Sequence, residues 1–359
     1  GLRIGLAAPT GKAARRLGEA VMAQRAPLPC STLHRWLEAG SRGFGRHRQR
    51  PLELDLLVID EMSMLDLALA QALLEALPSR CRLLLVGDPA QLPPVGSGAV
   101  WHRLQQPEVR GRFGAGAVQL ERTYRNRGAL AQVAQRLRQG DLTTFAADLA
   151  ALPDQANLHV HPSPSRRFPP LVRERWMQRL HHLADLAQGL DCCAEQELMG
   201  ASRPLLEALE QDLLLCPRRR GPWSLDDVHR TLLGSSAVLK VERWPIGLPV
   251  ICGSNQPELG LANGDLGVAI GVGPERRLLF QVVASDGQME VRRLHPARLR
   301  RLEPAVALTI HRAQGSEADR VIVLWPDPLE GGSAVEHQQR LLYTAITRAR
   351  VSLDLVTVI

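Results

Sequence analysis

The run Leu54-Asp55-Leu56-Leu57-Val58-Ile59-Asp60-Glu61 constrains this chain more than any other, being largely apolar and ending in two adjacent carboxylates. It reads as a buried strand that delivers acids to its carboxyl end, where ligands bind in open α/β sheets and a carboxylate can hold a metal ion and activate water. The other reading is a strand entering the acidic first turn of a helix, where Asp and Glu favour the positive end of the dipole. The following elements bear on the choice. A helical pattern over 65–77 separates this run from a second apolar strand, 82–86, which leads into Gly87-Asp88-Pro89-Ala90-Gln91-Leu92-Pro93-Pro94. Strand, helix, strand makes a right-handed parallel unit. Asp60, Glu61, Asp88 and Gln91 then share one sheet edge, and helix capping accounts poorly for two acidic strand ends side by side.

The 359 residues are 45% hydrophobic, enough for a large core, and the length suggests two or three domains. No apolar stretch approaches the roughly 18–20 residues of a membrane span, and the start lacks the layout of a signal peptide, so a cytoplasmic location is expected. The six cysteines have no CxxC spacing and read as core residues or surface thiols. A net charge of +7 favours an anionic partner, nucleic acid first. All but two of the 44 basic residues are arginine. The two lysines, Lys12 and Lys240, both lie outside any G-x-x-x-x-G-K-[ST] pattern, so this chain carries no Walker A loop.

A strand over 2–8 leads to a helix from Gly11 to about Arg25 that Thr10 can cap. Lys12, Arg15 and Arg16 crowd its first turns, where cations oppose the dipole unless an anion such as a phosphate lies near; a solvated basic helix end is the alternative. Ser31-Thr32-Leu33-His34 starts another helix, after which Arg42, Arg46, Arg48 and Arg50 face the single acid Glu38 and read as a mobile basic loop. Residues 140–212 read as helix and loop, broken at 162–170, without recognisable chemistry. A strand follows at 213–217. From 237 to 303, short alternating runs punctuated by Asn263-Gly264-Asp265, Gly271, Gly273 and Asp286-Gly287 predict a small antiparallel β-module. Strands at 305–310 and 321–324 resume the parallel sheet. A helix from about 338 places Leu341, Leu342, Ala345, Ile346 and Ala349 on one face and Thr347-Arg348 at its exposed end.

These segments resemble, in order, the motifs of superfamily 1 helicases. Asp60-Glu61 resembles their Walker B, 87–94 their motif III, and Ala8-Pro9-Thr10-Gly11-Lys12-Ala13-Ala14 their motif Ia, with Thr32-Leu33-His34 similar to the following DNA-contacting segment. Gln119-Leu120-Glu121-Arg122-Thr123-Tyr124-Arg125-Asn126 resembles motif IV. Thr309-Ile310-His311-Arg312-Ala313-Gln314-Gly315-Ser316-Glu317 resembles motif V, and Leu342-Tyr343-Thr344-Ala345-Ile346-Thr347-Arg348-Ala349-Arg350 motif VI. The RecD-like group is the nearest match, and 258–265 resembles part of the Src-homology-3-like barrel inserted in its second motor domain.

The resemblance implies an α/β fold of two RecA-like motor domains: an incomplete first (1–116), the second in two segments (117–236 and 304–359), and the barrel (237–303) between them. It implies ATP and Mg²⁺ as cofactors. Asp60 would hold the metal, Glu61 act as general base, Gln91 sense the γ-phosphate, and Arg125 and Arg348 act as fingers, with Asp88, Gln314, Gly315 and Glu317 completing the nucleotide site. Thr10, Lys12, Thr32 and His34 on the first domain, with Thr309 and His311 on the second, would grip DNA. The implied activity is 5′ to 3′ translocation in recombination and double-strand break repair. Implied partners are single-stranded DNA, duplex ends and the other subunits of an exodeoxyribonuclease V (RecBCD-type) complex. Two readings accommodate the missing Walker A: a fragment whose upstream part carries the loop, or a non-hydrolysing DNA-binding or scaffold subunit. The full set of acids, Gln91 and finger arginines fits the first better. A nuclease has little support, since the motor motifs account for the carboxylates. The 359-residue chain by itself is expected not to hydrolyse ATP appreciably, because it lacks the lysine and amide nest that cradle the β- and γ-phosphates; DNA-stimulated turnover by the purified chain would overturn this.

Overall fold

The computed structural model describes residues 1–24, 28–40, 43–120, 128–139, 145, 149, 157–238, 240–283, 289–326 and 335–358. The chain divides into two compact units, Gly1–Thr123 and Tyr124–Ile359.

The first unit runs β1 (Ile4–Ala8), α1 (Gly11–Met22), β2 (Cys30–Thr32), α2 (Leu33–Trp36), β3 (Ala39–Gly40), β4 (Gly43–Phe44), β5 (Leu56–Ile59), α3 (Leu67–Ala76), β6 (Arg82–Leu85), α4 (Val100–Gln105) and α5 (Pro107–Arg110). Its main sheet is wholly parallel, in the order β2-β1-β5-β6. The register aligns Leu6, Val58 and Leu84 on one face and Ala7, Ile59 and Leu85 on the other. Asp66 caps α3 by accepting from the Leu69 amide at 2.8 Å, and the helix buries Leu69, Ala70, Leu73 and Ala76 in the cluster that holds Leu57 and Ile59. The opposite face is covered unevenly. Ala13 and Ala14 of α1 pack on Ala8, whereas exposure climbs from 3% at Leu6 to 52% at Leu84. The outer strand β6 is thus apolar and open on that side.

The capped helix start is found, with Thr32 capping α2, and Cys30–Thr32 form an edge strand before it. One expectation for this unit needs correction. Of the basic loop expected over 42–50, Arg42 lies outside the described residues, and the segment after β4 is a structured turn closed between His47 and Arg50. Glu38 explains it, accepting from Arg46 at 2.8 Å and from Arg50 at 2.7 Å, while Arg46 also reaches the Pro51 carbonyl.

The second unit runs α6 (Ala129–Gln139), β7 (Leu158–Ser163), α7 (Pro170–Ala187), α8 (Glu195–Gln211), β8 (Asp212–Cys216), α9 (Leu225–Leu233), β9 (Pro249–Cys252), β10 (Leu266–Ile270), β11 (Arg277–Val283), β12 (Met289–Leu294), β13 (Leu302–Pro304), β14 (Leu308–Thr309), β15 (Ala318–Trp325), α10 (Val335–Ile346) and β16 (Ala349–Val358). It holds a parallel sheet, β14-β8-β15-β16-β7, and an antiparallel one, β12-β11-β10-β9-β13. One cluster runs through both, from Leu214, Ile322 and Val356 to Val250, Ala269 and Phe280. Trp176 is buried in it and donates its indole N–H to the Val306 carbonyl at 2.7 Å. The antiparallel module therefore shares its core with the parallel sheet.

β7 corrects the reading of 140–212 as helix and loop: it pairs with β16 at the sheet edge, where Pro162 is tolerated because no ladder partner needs its missing N–H. That edge carries a buried ion cluster. Asp354 of β16 lies 2.7 Å from His161 Nε2 and accepts from Arg175 at 2.7 Å. Burial works to raise the Asp354 carboxyl, but the bonds from His161 and Arg175 hold it below its ordinary value. A depressed carboxylate stabilises the fold above its unfolded pKa of about 3.9 and loses that contribution as pH falls through the folded value. Asp354→Asn is expected to cost about 1.5–3 kcal/mol at neutral pH and to weaken the loss of stability below about pH 4. An unchanged acid limb in calorimetric melting of the variant would count against this.

Candidate functional site

In the first unit two hydrogen bonds zip the ends of β5 and β6 together: the Val86 amide donates to the Ile59 carbonyl at 2.8 Å, and the Met62 amide donates to the Val86 carbonyl at 3.0 Å. The approach is close. A Cβ on Gly87 would stand 2.9 Å from Met62 Cβ and 3.0 Å from its amide nitrogen, so glycine fits where a side chain does not. Asp60, Glu61, Asp88 and Gln91 all emerge beyond these two strand ends. The Asp60 carboxylate accepts from the Glu61 amide at 2.8 Å, and Glu61 takes left-handed φ/ψ of 55° and 42°. A non-glycine residue there carries strain of the kind that collects at active sites. Asp88 folds its own turn by accepting from the Ala90 amide at 3.0 Å, and this turn brings in Gln91. Gln91 is buried, and its Oε1 has no hydrogen-bond partner among the described residues. A buried acceptor left so costs about 1–3 kcal/mol, and it marks a place for a donor.

Among the described residues no group of three or more His, Cys, Asp or Glu could hold a metal by itself. Mg²⁺ does not need one, since it binds through one or two carboxylates with waters and phosphate oxygens. The Asp60 side of this edge, all hard oxygen donors with an orphaned acceptor near, fits such an ion.

The residues expected to grip a strand sit at loop and helix starts. Thr10 caps α1 by accepting from the Ala13 amide at 3.3 Å, Lys12 lies half-buried in the first turn, and Thr32 caps α2 through the Arg35 amide at 3.2 Å. β1 and β2 pair Ala8 with Thr32, so both caps lie at one sheet edge. His34 is exposed, with its ring 6.5 Å from Phe44.

In the second unit Thr309 pairs with Cys216 at the carboxyl edge of the parallel sheet, and its hydroxyl accepts from the Arg312 amide at 3.4 Å. The His311 ring stacks on His337 at 6.2 Å; burial, then the neighbouring His337, lower the His311 imidazole below its ordinary value. Gln314 is buried, Gly315 turns with φ of 71°, and Glu317 is half-buried. Arg348 departs from the expected exposed helix end. It is fully buried, donating to the Thr344 carbonyl at 3.0 Å, the Ser316 carbonyl at 3.1 Å and the Thr347 hydroxyl at 3.2 Å. The α10 helix stops at Ile346 and the chain turns directly into β16 at Ala349, which places Arg348 to satisfy a carbonyl of the last helical turn and that of the distant Ser316. Arg125 lies outside the described residues. The sequence reading overlooked Glu303, which accepts from both Arg312 and Arg219; as the one acid after Arg298, Arg300 and Arg301 it was the available signal.

Two α/β units, each built on a parallel sheet, make a RecA-like fold. The solved structure of Bacteroides Pif1 bound to ssDNA shares it, with a TM-score of 0.50 and 17% identity over 99% of this chain and 83% of that one. The AAA domain family matches residues 2–97, and the UvrD-like helicase C-terminal domain family matches 304–356. The chain is 34% identical to the RecBCD enzyme subunit RecD of Mycolicibacterium smegmatis, over 99% of its own length and 62% of the relative's. It is 32% identical to the ATP-dependent RecD2 DNA helicase of Deinococcus radiodurans, over 98% of its length and 42% of the relative's. By sequence the chain is similar to these two relatives over nearly its whole length, and it spans about three-fifths of the first and two-fifths of the second. Among the described residues no helix is long and apolar enough to cross a membrane.

Gly87→Ala is expected to force β6 away from Met62 and to destabilise the first unit by about 1–3 kcal/mol, read as a lower urea midpoint for that unit. An unshifted midpoint would mean the strand ends tolerate the added methyl.

Proposed function

We propose that the whole protein is an ATP-driven DNA helicase of recombination and double-strand break repair, moving 5′ to 3′ along one strand within a RecBCD-type complex. Its relatives carry the names of a RecBCD subunit and an ATP-dependent helicase, which supports the class and the assembly. The observation that carries the reading is the β5–β6 edge, where Asp60, a strained Glu61, Asp88 and the orphaned Gln91 acceptor lie beyond adjacent strand ends.

In this reading Asp60 holds Mg²⁺, which neutralises charge on the phosphates when bound. Glu61 accepts the proton of the attacking water, and Gln91 uses its free acceptor to orient that water against the γ-phosphate. Asp88 holds the turn that presents Gln91, and Gln314, Gly315 and Glu317 are the proposed nucleotide-binding residues of the second unit. Arg125 and Arg348 are the proposed fingers; for Arg348 that role requires leaving the carbonyls of Ser316 and Thr344. The three capping threonines suit a strand path for a simple reason. Thr10, Thr32 and Thr309 each spend lone pairs on a backbone amide, which leaves the hydroxyl proton to donate to a phosphate oxygen. Lys12 adds charge, and His34 and His311 add rings for bases.

The phosphate loop has to come from outside these 359 residues. The open side of β6, with Leu84 and Val86 exposed, supports a further strand and helix docking there. The second reading, a non-hydrolysing DNA-binding or scaffold subunit, is favoured only by the loop's absence from this chain.

In the full-length protein, Glu61→Gln is expected to lower strand-stimulated ATP hydrolysis by at least about 100-fold while leaving oligonucleotide binding largely intact. Normal turnover with lost binding would contradict the role assigned.

A further inference from the structure

We propose that Arg219 and Arg312, held side by side by Glu303, form a seat for one phosphodiester of a single-stranded nucleic acid, with Glu303 as its positioning residue. The inference rests on the strand-gripping reading above and adds residues to it. The placement comes from the parallel sheet: β8 ends at Cys216 and β14 at Thr309, which pair, so 217–220 and 310–312 leave the sheet together at its carboxyl edge. The carboxylate comes from the other sheet, on the last strand of the antiparallel module. Arg312 grips it with both terminal nitrogens, at 2.8 and 3.0 Å, and Arg219 donates to it at 3.0 Å.

The Glu303 side chain is 27% exposed, Arg312 31% and Arg219 56%, so all three reach solvent in part and Arg219 is the most open of them. Asp226 flanks Arg219 and Arg220 at 3.9 and 4.0 Å, leaving three guanidiniums against two carboxylates and an excess of positive charge at the surface. His229 of the adjoining α9, which Asp226, Glu303 and Arg219 all face, adds no charge of its own: burial pushes its imidazole down to about 4, so it is neutral at physiological pH. Burial works to raise the Glu303 carboxyl, yet the bonds and charges of Arg312 and Arg219 hold it below its ordinary value and keep it ionised. Two long side chains therefore lose their rotamer freedom on folding instead of on binding, the condition for a preorganised anion seat.

The sign of one substitution separates this role from plain charge. Glu303→Gln removes a negative charge beside the strand path, so charge balance alone predicts tighter binding; loss of positioning predicts weaker binding. In the full-length protein, binding of a fluorescent oligothymidylate is measured against salt concentration. Glu303→Gln is expected to bind several-fold more weakly, and Arg219→Ala to lower the magnitude of the log–log salt slope by about 0.7, the value for one single-strand phosphate contact. Arg203→Ala, on α8 and paired with Glu207, is the control expected to leave both unchanged. Wild-type protein that fails to bind the oligomer overturns the strand-gripping reading itself. Wild-type binding with tighter or equal affinity for Glu303→Gln, or an unchanged slope for Arg219→Ala, overturns the phosphate seat. The exposed Arg219 carries the test if Glu303→Gln melts early.

Discussion

The exchange between Val86, Ile59 and Met62 is the constraint on which the candidate site depends. Those two backbone bonds hold the ends of β5 and β6 in register one residue past the sheet, and Gly87 allows the approach that makes them. Asp60, Glu61 and Asp88 all leave the sheet from that point. The left-handed Glu61 goes with it: a regular parallel ladder would bond the residue 61 amide to Val86, Met62 takes that place, and the extra residue is accommodated at Glu61, whose amide the Asp60 carboxylate satisfies. The geometry of the candidate site is thus imposed by strand pairing.

Where the pattern was local, the sequence disclosed it. The apolar run to Asp60-Glu61, the helix capped by Thr10 and the turn-rich antiparallel stretch all carry their signals within a few residues, and β5, α1 and β9 to β13 stand close to where those signals put them. What depended on distant partners was hidden. β7 exists because Leu158–Ser163 finds β16 almost two hundred residues later, and a Pro-containing segment with two histidines gives little local hint of that. Glu38 converts a run of arginines into a turn by pairing with residues 8 and 12 positions away, which composition counts as charge and geometry counts as structure. Arg348 was legible as a motif residue but not in its burial, because its acceptors include a carbonyl 32 residues earlier.

The antiparallel module raises a related point about boundaries. Its turns advertise a separate β-unit, yet its inner face shares one core with the parallel sheet, and its last strand supplies Glu303 to the turn after β14. The module and the motif V segment are thereby fixed to each other through packed side chains and a two-arginine ion cluster.

The arginine excess shows why net charge alone is a weak guide to a binding surface. Arg179 donates to the carbonyls of Ala208, Leu209 and Asp212 at the end of α8, and Arg293 to those of Leu190, Asp191 and Cys193 before it. Arg276 bonds the carbonyls of Ile270 and Trp244, and Arg348 those of Thr344 and Ser316. A planar guanidinium with five donors can close several orphaned carbonyls at once, which an ammonium on a flexible stem does poorly. These four arginines are therefore spent inside the second unit on backbone carbonyls. In the proposed phosphate seat the arginines are instead held at the surface by an acid, and that arrangement, more than the count, is what would select where a phosphate sits.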